Sequence, residues 1–179
     1  GLDRPTNFSL NLRIPSWSNN NSVMFEGKNV TIESNKYYEI DKLWNNDDEV
    51  ELNLDLHFTC WKGESNQKGY SSIYYGPILL ALDNYYLSNS NSTINFDRQI
   101  EISNDDFKNA EIKNGNIDGA WIFVDIPYND TFIRLVDFAS CGKYNGQSQP
   151  SSYYSWLNIK NSPNNEFDDI INRWKVPLY

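Results

Sequence analysis

The chain has 179 residues, a formal net charge of -9 and an aromatic content of 15%. This acidity argues against nucleic acid as a partner, because phosphate binding requires clustered positive charge, and it disfavours an anionic membrane on the same ground. No apolar run approaches the roughly 20 residues that span a bilayer, which excludes a transmembrane helix. Abundant Tyr, Phe, Trp, Ile, Leu and Val favour strands, so we predict an all-β fold.

Residues 8–14 have the clearest strand pattern in the chain. Their apolar positions are Phe8, Leu10, Leu12 and Ile14. These positions alternate with polar residues, which is the two-residue period of a strand with one buried face. Pro15 ends the pattern because proline cannot donate to a β-ladder. A second strand of the same design is predicted over residues 50–56, with short strands and Asn-rich turns between the two.

Residues 73–82 are almost continuously apolar, which indicates burial on both faces of a strand. Gly76 and Pro77 predict a bend or bulge within it. The Ser/Asn-rich stretch 84–95 that follows is typical of a boundary. We therefore expect two linked antiparallel, jelly-roll-like β-sandwiches, the first over residues 1–86 and the second over 87–179.

The end of the chain changes to a helical period. The apolar residues Phe167, Ile170, Ile171 and Trp174 fall at i, i+3, i+4 and i+7. Ser162 and Pro163 supply an N-cap and a first helical residue. One short helix is predicted over about residues 163–174, positioned to pack back on the first sandwich.

Two aspartates differ from the many acids in turns and on polar strand faces. Asp125 and Asp137 lie within or at the end of apolar strands, where a carboxylate is costly unless it is paired. Arg134 is the predicted partner of Asp137, which favours a structural pair over a catalytic acid. Glycoside hydrolysis requires two carboxylates that face each other across the scissile bond. We assign no catalytic residue in this sequence.

The metal-ligating and thiol residues are few. His57 is the single histidine, and without a second ligand nearby it is a poor basis for a metal site or a Ser-His triad, so no metal or cofactor is predicted. Cys60 and Cys141 are either buried free thiols or one long-range disulfide.

The aromatic side chains are the remaining candidates for binding. Tryptophan and tyrosine rings can stack on the apolar faces of sugars, although aromatics at strand spacing more often belong to the core. Trp61, Tyr144 and Trp17 are our candidate carbohydrate-binding residues, the first two because they lie in or beside polar loops. Further candidate platforms are Tyr74, Tyr75, Tyr153, Tyr154 and Trp156.

The sequence pattern of the strands resembles the C-terminal region of the β-L-arabinofuranosidase-like glycoside hydrolases, family 127 and its relatives. The matching segments are Phe8-x-Leu10-x-Leu12-Arg13-Ile14-Pro15-Ser16-Trp17, Glu26-Gly27, Tyr37-Tyr38-x-Ile40, Trp44, Asp48-x-Val50-x-Leu52-x-Leu54 and Tyr75-Gly76-Pro77-Ile78-Leu79-Leu80-Ala81-Leu82. Val136-Asp137-Phe138-Ala139-Ser140-x-Gly142 and Tyr154-x-Trp156-Leu157 resemble the segment that closes the same region.

The resemblance implies a non-catalytic β-sandwich portion of a glycoside hydrolase. In that family an (α/α)6 barrel carries the active site, including a zinc held by cysteines and a glutamate, and none of the barrel motifs occurs in this sequence. The expected partners are a catalytic barrel in the same polypeptide and a plant-type oligosaccharide. The start at Gly1 likewise suggests a piece of a longer protein. A carbohydrate-binding module, or a structural or protein-interaction sandwich unrelated to sugars, remains as an alternative.

Overall fold

The computed structural model describes residues 1–88, 100–117, 119–142 and 152–160. The chain divides into two compact units, Gly1–His57 and a second that begins at Phe58. Antiparallel strands make up most of both, and the described helices are each of five residues or fewer, which confirms the all-β prediction. None of the described helices is long and apolar enough to cross a membrane.

The first unit contains five antiparallel strands. They are β1 (Thr6–Ile14), β2 (Asn21–Phe25), β3 (Lys28–Ile32), β4 (Lys36–Trp44) and β5 (Val50–Asn53). Strand β1 pairs with β4 along its whole length, and β2 lies between β3 and β5 in a second sheet. The predicted strand over 8–14 is confirmed, whereas the predicted strand over 50–56 ends at Asn53.

The two sheets of this unit share one hydrophobic cluster. Its buried members are Ile14, Val23, Ile32, Ile40 and Trp44, and they come from four different strands. Trp44 is held by its indole N–H, which donates to the carbonyl of Phe8 at 2.8 Å, and its ring stacks on that of Phe8 with centroids 5.3 Å apart. The alternation seen in the sequence therefore builds a core between two sheets.

The second unit is organised around a larger sheet. Its strands are β6 (Phe58–Lys62), β7 (Ser71–Tyr75), β8 (Ile78–Asp83), β9 (Ile100–Glu101), β10 (Glu111–Ile117), β11 (Ala120–Tyr128), β12 (Thr131–Asp137), β13 (Tyr153–Tyr154) and β14 (Ile159–Lys160). The order in the sheet is β10-β11-β12-β8-β7-β6, with β13 also paired to β8, while β9 and β14 form a short parallel pair. The helices are α1 (Asn84–Ser88) and α2 (Asn104–Lys108).

The apolar segment 73–82 forms a hairpin rather than one bent strand. Gly76, with φ +54°, and Pro77 make the turn between β7 and β8. Burial on both faces is confirmed, since Leu80, Ala81 and Leu82 are each at most 1% exposed. Two different hydrophobic clusters account for this burial, one containing Leu80 and Leu82 and the other containing Val136, which lies opposite Ala81.

The division between the units lies earlier than the boundary that we expected between residues 86 and 87. Strand β8 pairs with β12 through Ala81 and Leu80, so residues 58–83 belong to the same sheet as residues 111–137. The stretch 84–88 is helix α1 within the second unit. The helix predicted over 163–174 lies outside the described residues.

Candidate functional site

Asp125 is the buried acceptor of a charged cluster on the second unit's sheet. Its side chain is 6% exposed, and Arg134 reaches it with two hydrogen bonds, Nε to Oδ1 at 2.7 Å and Nη2 to Oδ2 at 2.6 Å. The ammonium of Lys113 donates to Oδ2 at 3.1 Å. Burial acts to raise the pKa of the Asp125 carboxyl, but the hydrogen bonds from Arg134 and Lys113 outweigh it and hold the pKa below its ordinary value.

The predicted pairing of Arg134 with Asp137 is therefore wrong. Arg134 lies three positions before Asp137 on β12, and side chains an odd number of positions apart on a strand point to opposite faces. The register of β11 on β12 places Arg134 directly opposite Asp125. The broader expectation, that both buried carboxylates have structural partners, is confirmed.

Asp137 fixes the start of β11. Its Oδ1 accepts from the backbone N–H groups of Trp121 at 2.8 Å and Ile122 at 3.2 Å, and its Oδ2 accepts from the hydroxyl of Ser140 at 2.6 Å. The side chain is 5% exposed. Both carboxylate oxygens are thus occupied in tying the start of β11 to the end of β12.

The two cysteines are free thiols in desolvated surroundings. Burial raises the pKa of the Cys60 thiol to about 12. Burial, with the nearby carboxylates of Asp83 and Asp137, raises the pKa of Cys141 to about 12 as well. The described residues contain no group of three or more His, Cys, Asp or Glu that could hold a metal ion.

His57 lies at the end of the first unit beside Asp55, with Nδ1 3.5 Å from Oδ2. Asp55 belongs to a network of polar groups around the loop after β1. The hydroxyl of Ser18 accepts from the backbone N–H of Asp55 at 2.6 Å, and the amide of Asn21 donates to the carbonyl of Ser18 at 2.9 Å. Ser18 and Asn21 are at most 2% exposed, so this network is a structural feature of the loop.

The predicted sugar platforms that the structure describes belong to both units. Trp17 is half-buried in the turn after β1 in the first unit, and Trp61 is half-buried on β6 in the second. Tyr144 lies outside the described residues. Of the further candidates, Tyr75 packs in the core against Phe58 with ring centroids 5.0 Å apart, whereas Tyr153 and Tyr154 are 46% and 44% exposed.

An open groove of about 770 Å³ lies on the second unit, and the sequence did not predict it. Its lining residues are Pro77, Ile78, Leu79, Trp121, Ile122, Asp137, Phe138 and Ala139. Trp121 is 76% exposed and Phe138 is 40% exposed, and the ring of Phe138 meets that of Tyr153 edge-on at 5.6 Å. A groove with this lining can receive an apolar group.

The first unit has an open groove of a different character, of about 790 Å³, between the β2–β3 and β4–β5 turns. Acidic side chains line it, among them Glu26 and Asp48. These two carboxylates accept from the ammonium of Lys42 at 2.8 and 3.0 Å, and the hydrogen bond to Glu26 is the main reason that the pKa of Lys42 is raised. Glu26 and Gly27 form the tight turn of the β2–β3 hairpin, and both have positive φ. Glycine is favoured in two-residue hairpin turns that require positive φ at both positions.

The first unit also matches a known family. Residues 2–56 match the family described as "Beta-L-arabinofuranosidase, GH127 middle domain". The resemblance to family 127 that we identified from the sequence pattern of the strands is therefore confirmed. No curated protein matches the chain.

Solved structures of glycoside hydrolases share the fold. One described as a glycoside hydrolase is 18% identical and has a TM-score of 0.65 over 87% of this chain and 28% of its own. A GH127 β-L-arabinofuranosidase from Geobacillus stearothermophilus T6 is 18% identical, with a TM-score of 0.60 over 88% of this chain and 27% of its own. A further GH127 β-arabinofuranosidase is 16% identical, with a TM-score of 0.60. This chain thus spans little more than a quarter of the length of the structures that it matches.

Proposed function

We propose, from the match of residues 2–56 to a GH127 middle domain, that this chain is a non-catalytic β-portion of a glycoside hydrolase acting on arabinose-containing or related glycans. Its role is to support an (α/α)6 catalytic barrel carried by the same polypeptide. The observation that carries the proposal is this match, together with the chain's coverage of only 27% and 28% of two of the structures that share its fold.

The hydrogen bonds made by the two buried carboxylates, Asp125 and Asp137, support a scaffold role for this chain. A glycosidase needs one carboxyl free to donate a proton and a second free to attack or to activate water. Asp125 is held by Arg134 and Lys113, and Asp137 by two backbone N–H groups and Ser140. Both carboxylates are therefore engaged in holding neighbouring strands together, and their oxygens already accept hydrogen bonds.

Truncation of the parent polypeptide tests the support role. The full-length polypeptide and a version ending just before Gly1 are compared for soluble yield, unfolding temperature and hydrolysis of aryl arabinofuranosides. We expect the truncated barrel to lose most of its soluble yield and to unfold at a lower temperature. A truncated barrel with unchanged yield, unfolding temperature and activity would contradict the proposal.

A carbohydrate-binding role is a second candidate, and the partial exposure of Trp17 and Trp61 favours it. Binding in the millimolar range corresponds to about 4 kcal/mol, of which stacking of a sugar on one indole contributes about 1 kcal/mol and hydrogen bonds to the sugar hydroxyls supply the rest. Calorimetric titration with arabino- and xylo-oligosaccharides tests it, with Trp17→Ala and Trp61→Ala as variants. Absence of a heat signal at millimolar ligand would count against this candidate, while the same heat from both variants as from the wild type would exclude these two residues.

A further inference from the structure

The apolar groove around Trp121 has the properties of a docking surface. Trp121 is the most exposed of the large apolar side chains described, at 76%. Leaving a tryptophan in water forfeits the stabilisation of its burial, and tryptophan is enriched among the residues that dominate binding at protein interfaces. Pro77, Leu79 and Phe138 extend the apolar surface beside it.

The backbone under Trp121 is fixed in advance. Asp137 holds the N–H groups of Trp121 and Ile122, and Ser140 in turn holds Asp137. Phe138 begins the 3₁₀ turn Phe138–Ser140, which follows β12 directly. Both aromatic residues of the groove are thus presented from ordered backbone, which lowers the entropy cost of binding.

The chemistry of the lining selects the kind of occupant. A sugar site needs several polar groups that can bond hydroxyls, in addition to an aromatic platform. Both oxygens of Asp137 already accept hydrogen bonds, and the indole N–H of Trp121 is the one other polar side-chain group among the lining residues. An apolar protein surface therefore fits the groove better than an oligosaccharide does.

We infer that this groove is the surface through which the second unit docks on the helical barrel of the same polypeptide. The inference rests on the proposed function and specifies where the support is exerted. The chain spans 27% and 28% of two of the structures that share its fold, so most of a protein of that kind lies outside it and is available as the occupant. Apolar side chains of barrel helices would fill the groove and cover the Trp121 indole.

Hydroxyl-radical footprinting read by mass spectrometry tests the inference on the isolated chain and on the full-length polypeptide. We expect oxidation of Trp121 and Phe138 to fall at least tenfold in the full-length protein. Tyr37, 67% exposed in the first unit, is the reference. Unchanged oxidation of Trp121 would overturn the inference, and protection of Tyr37 alone would place the barrel on the first unit while leaving the support role intact.

Two substitutions in the full-length polypeptide complete the test. Trp121→Ser should lower the unfolding temperature of the full-length protein but leave that of the isolated chain unchanged, since the side chain is exposed there. Tyr37→Ser is the matched control and should change neither. Equal effects of Trp121→Ser on both proteins would indicate a local folding role and overturn the inference. Protection of Trp121 by arabino-oligosaccharides in the isolated chain would replace the barrel with a sugar as the occupant.

Discussion

Asp125 and Arg134 face each other directly across β11 and β12 and form a two-pronged ion pair with hydrogen bonds of 2.7 and 2.6 Å. The guanidinium also lies over the rings of Phe123 and Phe132, with its carbon 5.3 and 5.1 Å from their centroids. A charge as buried as that of Asp125 is tolerated only while it is paired. Removal of one partner should therefore be costly, because it leaves the other charge without its counter-ion.

Removal of Arg134 should destabilise the second unit more than removal of the Asp125 charge. Arg134→Met leaves the carboxylate buried with Lys113 alone, at an expected cost of about 3 kcal/mol. Asp125→Asn leaves Arg134 and Lys113, which are 20% and 36% exposed and can reach water, so we expect a lower cost of about 2 kcal/mol. Urea unfolding measures both. The control is Asp105→Asn at an exposed pair with Lys108, which should not shift the midpoint; equal costs for Arg134→Met and this control would contradict the account.

The same pair predicts a pH dependence. The pKa of Asp125 is lower in the folded chain than in the unfolded chain, so its contribution is present above the unfolded value of about 4 and is lost as the pH falls through the folded value. The stability difference between wild type and Asp125→Asn should therefore shrink as the pH is lowered below about 4. Urea unfolding at pH 7, 5 and 3 measures it, and a difference that grows toward pH 3 would refute this assignment.

Truncation of Asp137 to alanine should lower the stability of the second unit, whereas replacement by asparagine should change it little. Asp137→Ala leaves the N–H groups of Trp121 and Ile122 without their acceptor, which should cost about 2 to 4 kcal/mol. Asp137→Asn keeps an acceptor oxygen, and its NH₂ can donate to the hydroxyl of Ser140, so about 1 kcal/mol or less is expected. Ser140→Ala removes one hydrogen bond and serves as the control. An alanine variant as stable as the amide variant would show that the carboxylate does not hold β11.

The two thiols should react only when the chain unfolds. With pKa values of about 12, each cysteine carries about one thiolate in 10⁴ at pH 8, and burial restricts the access of a reagent. Labelling with iodoacetamide at pH 8 should be slow without denaturant and complete in 6 M guanidinium, where both thiols are free. Rapid labelling of the native chain at either cysteine would contradict these pKa directions.

Local patterns predicted the first unit's opening strand but not the partners of the buried charges. Alternation from Phe8 to Ile14 is a property of one segment, and the strand forms as predicted. The partner of Arg134 depends on the register of β11 on β12, which no single segment encodes. Strand parity alone could have excluded Asp137, because it lies three positions away on the same strand.

The groove and the division of the chain after His57 both depend on contacts between segments that are distant in sequence. Trp121 begins a run of apolar residues, which indicates burial, yet it lies at the start of β11 where its side chain is exposed. The boundary depends on the long-range pairing of β8 with β12, whereas the Ser/Asn-rich composition of 84–95 is a local signal. Contacts distant in sequence determine both features.

Hydrolysis of an aryl β-L-arabinofuranoside by the isolated chain tests the central claim most directly. The chain is assayed beside the full-length polypeptide at equal molar concentration, with Asp125→Asn and Asp137→Asn variants of the chain as controls. A non-catalytic β-portion predicts no release of the aryl group above the buffer rate by the chain or by either variant. Release by the isolated chain at the rate of the full-length polypeptide would place the bond-breaking residues within these 179 and contradict the account.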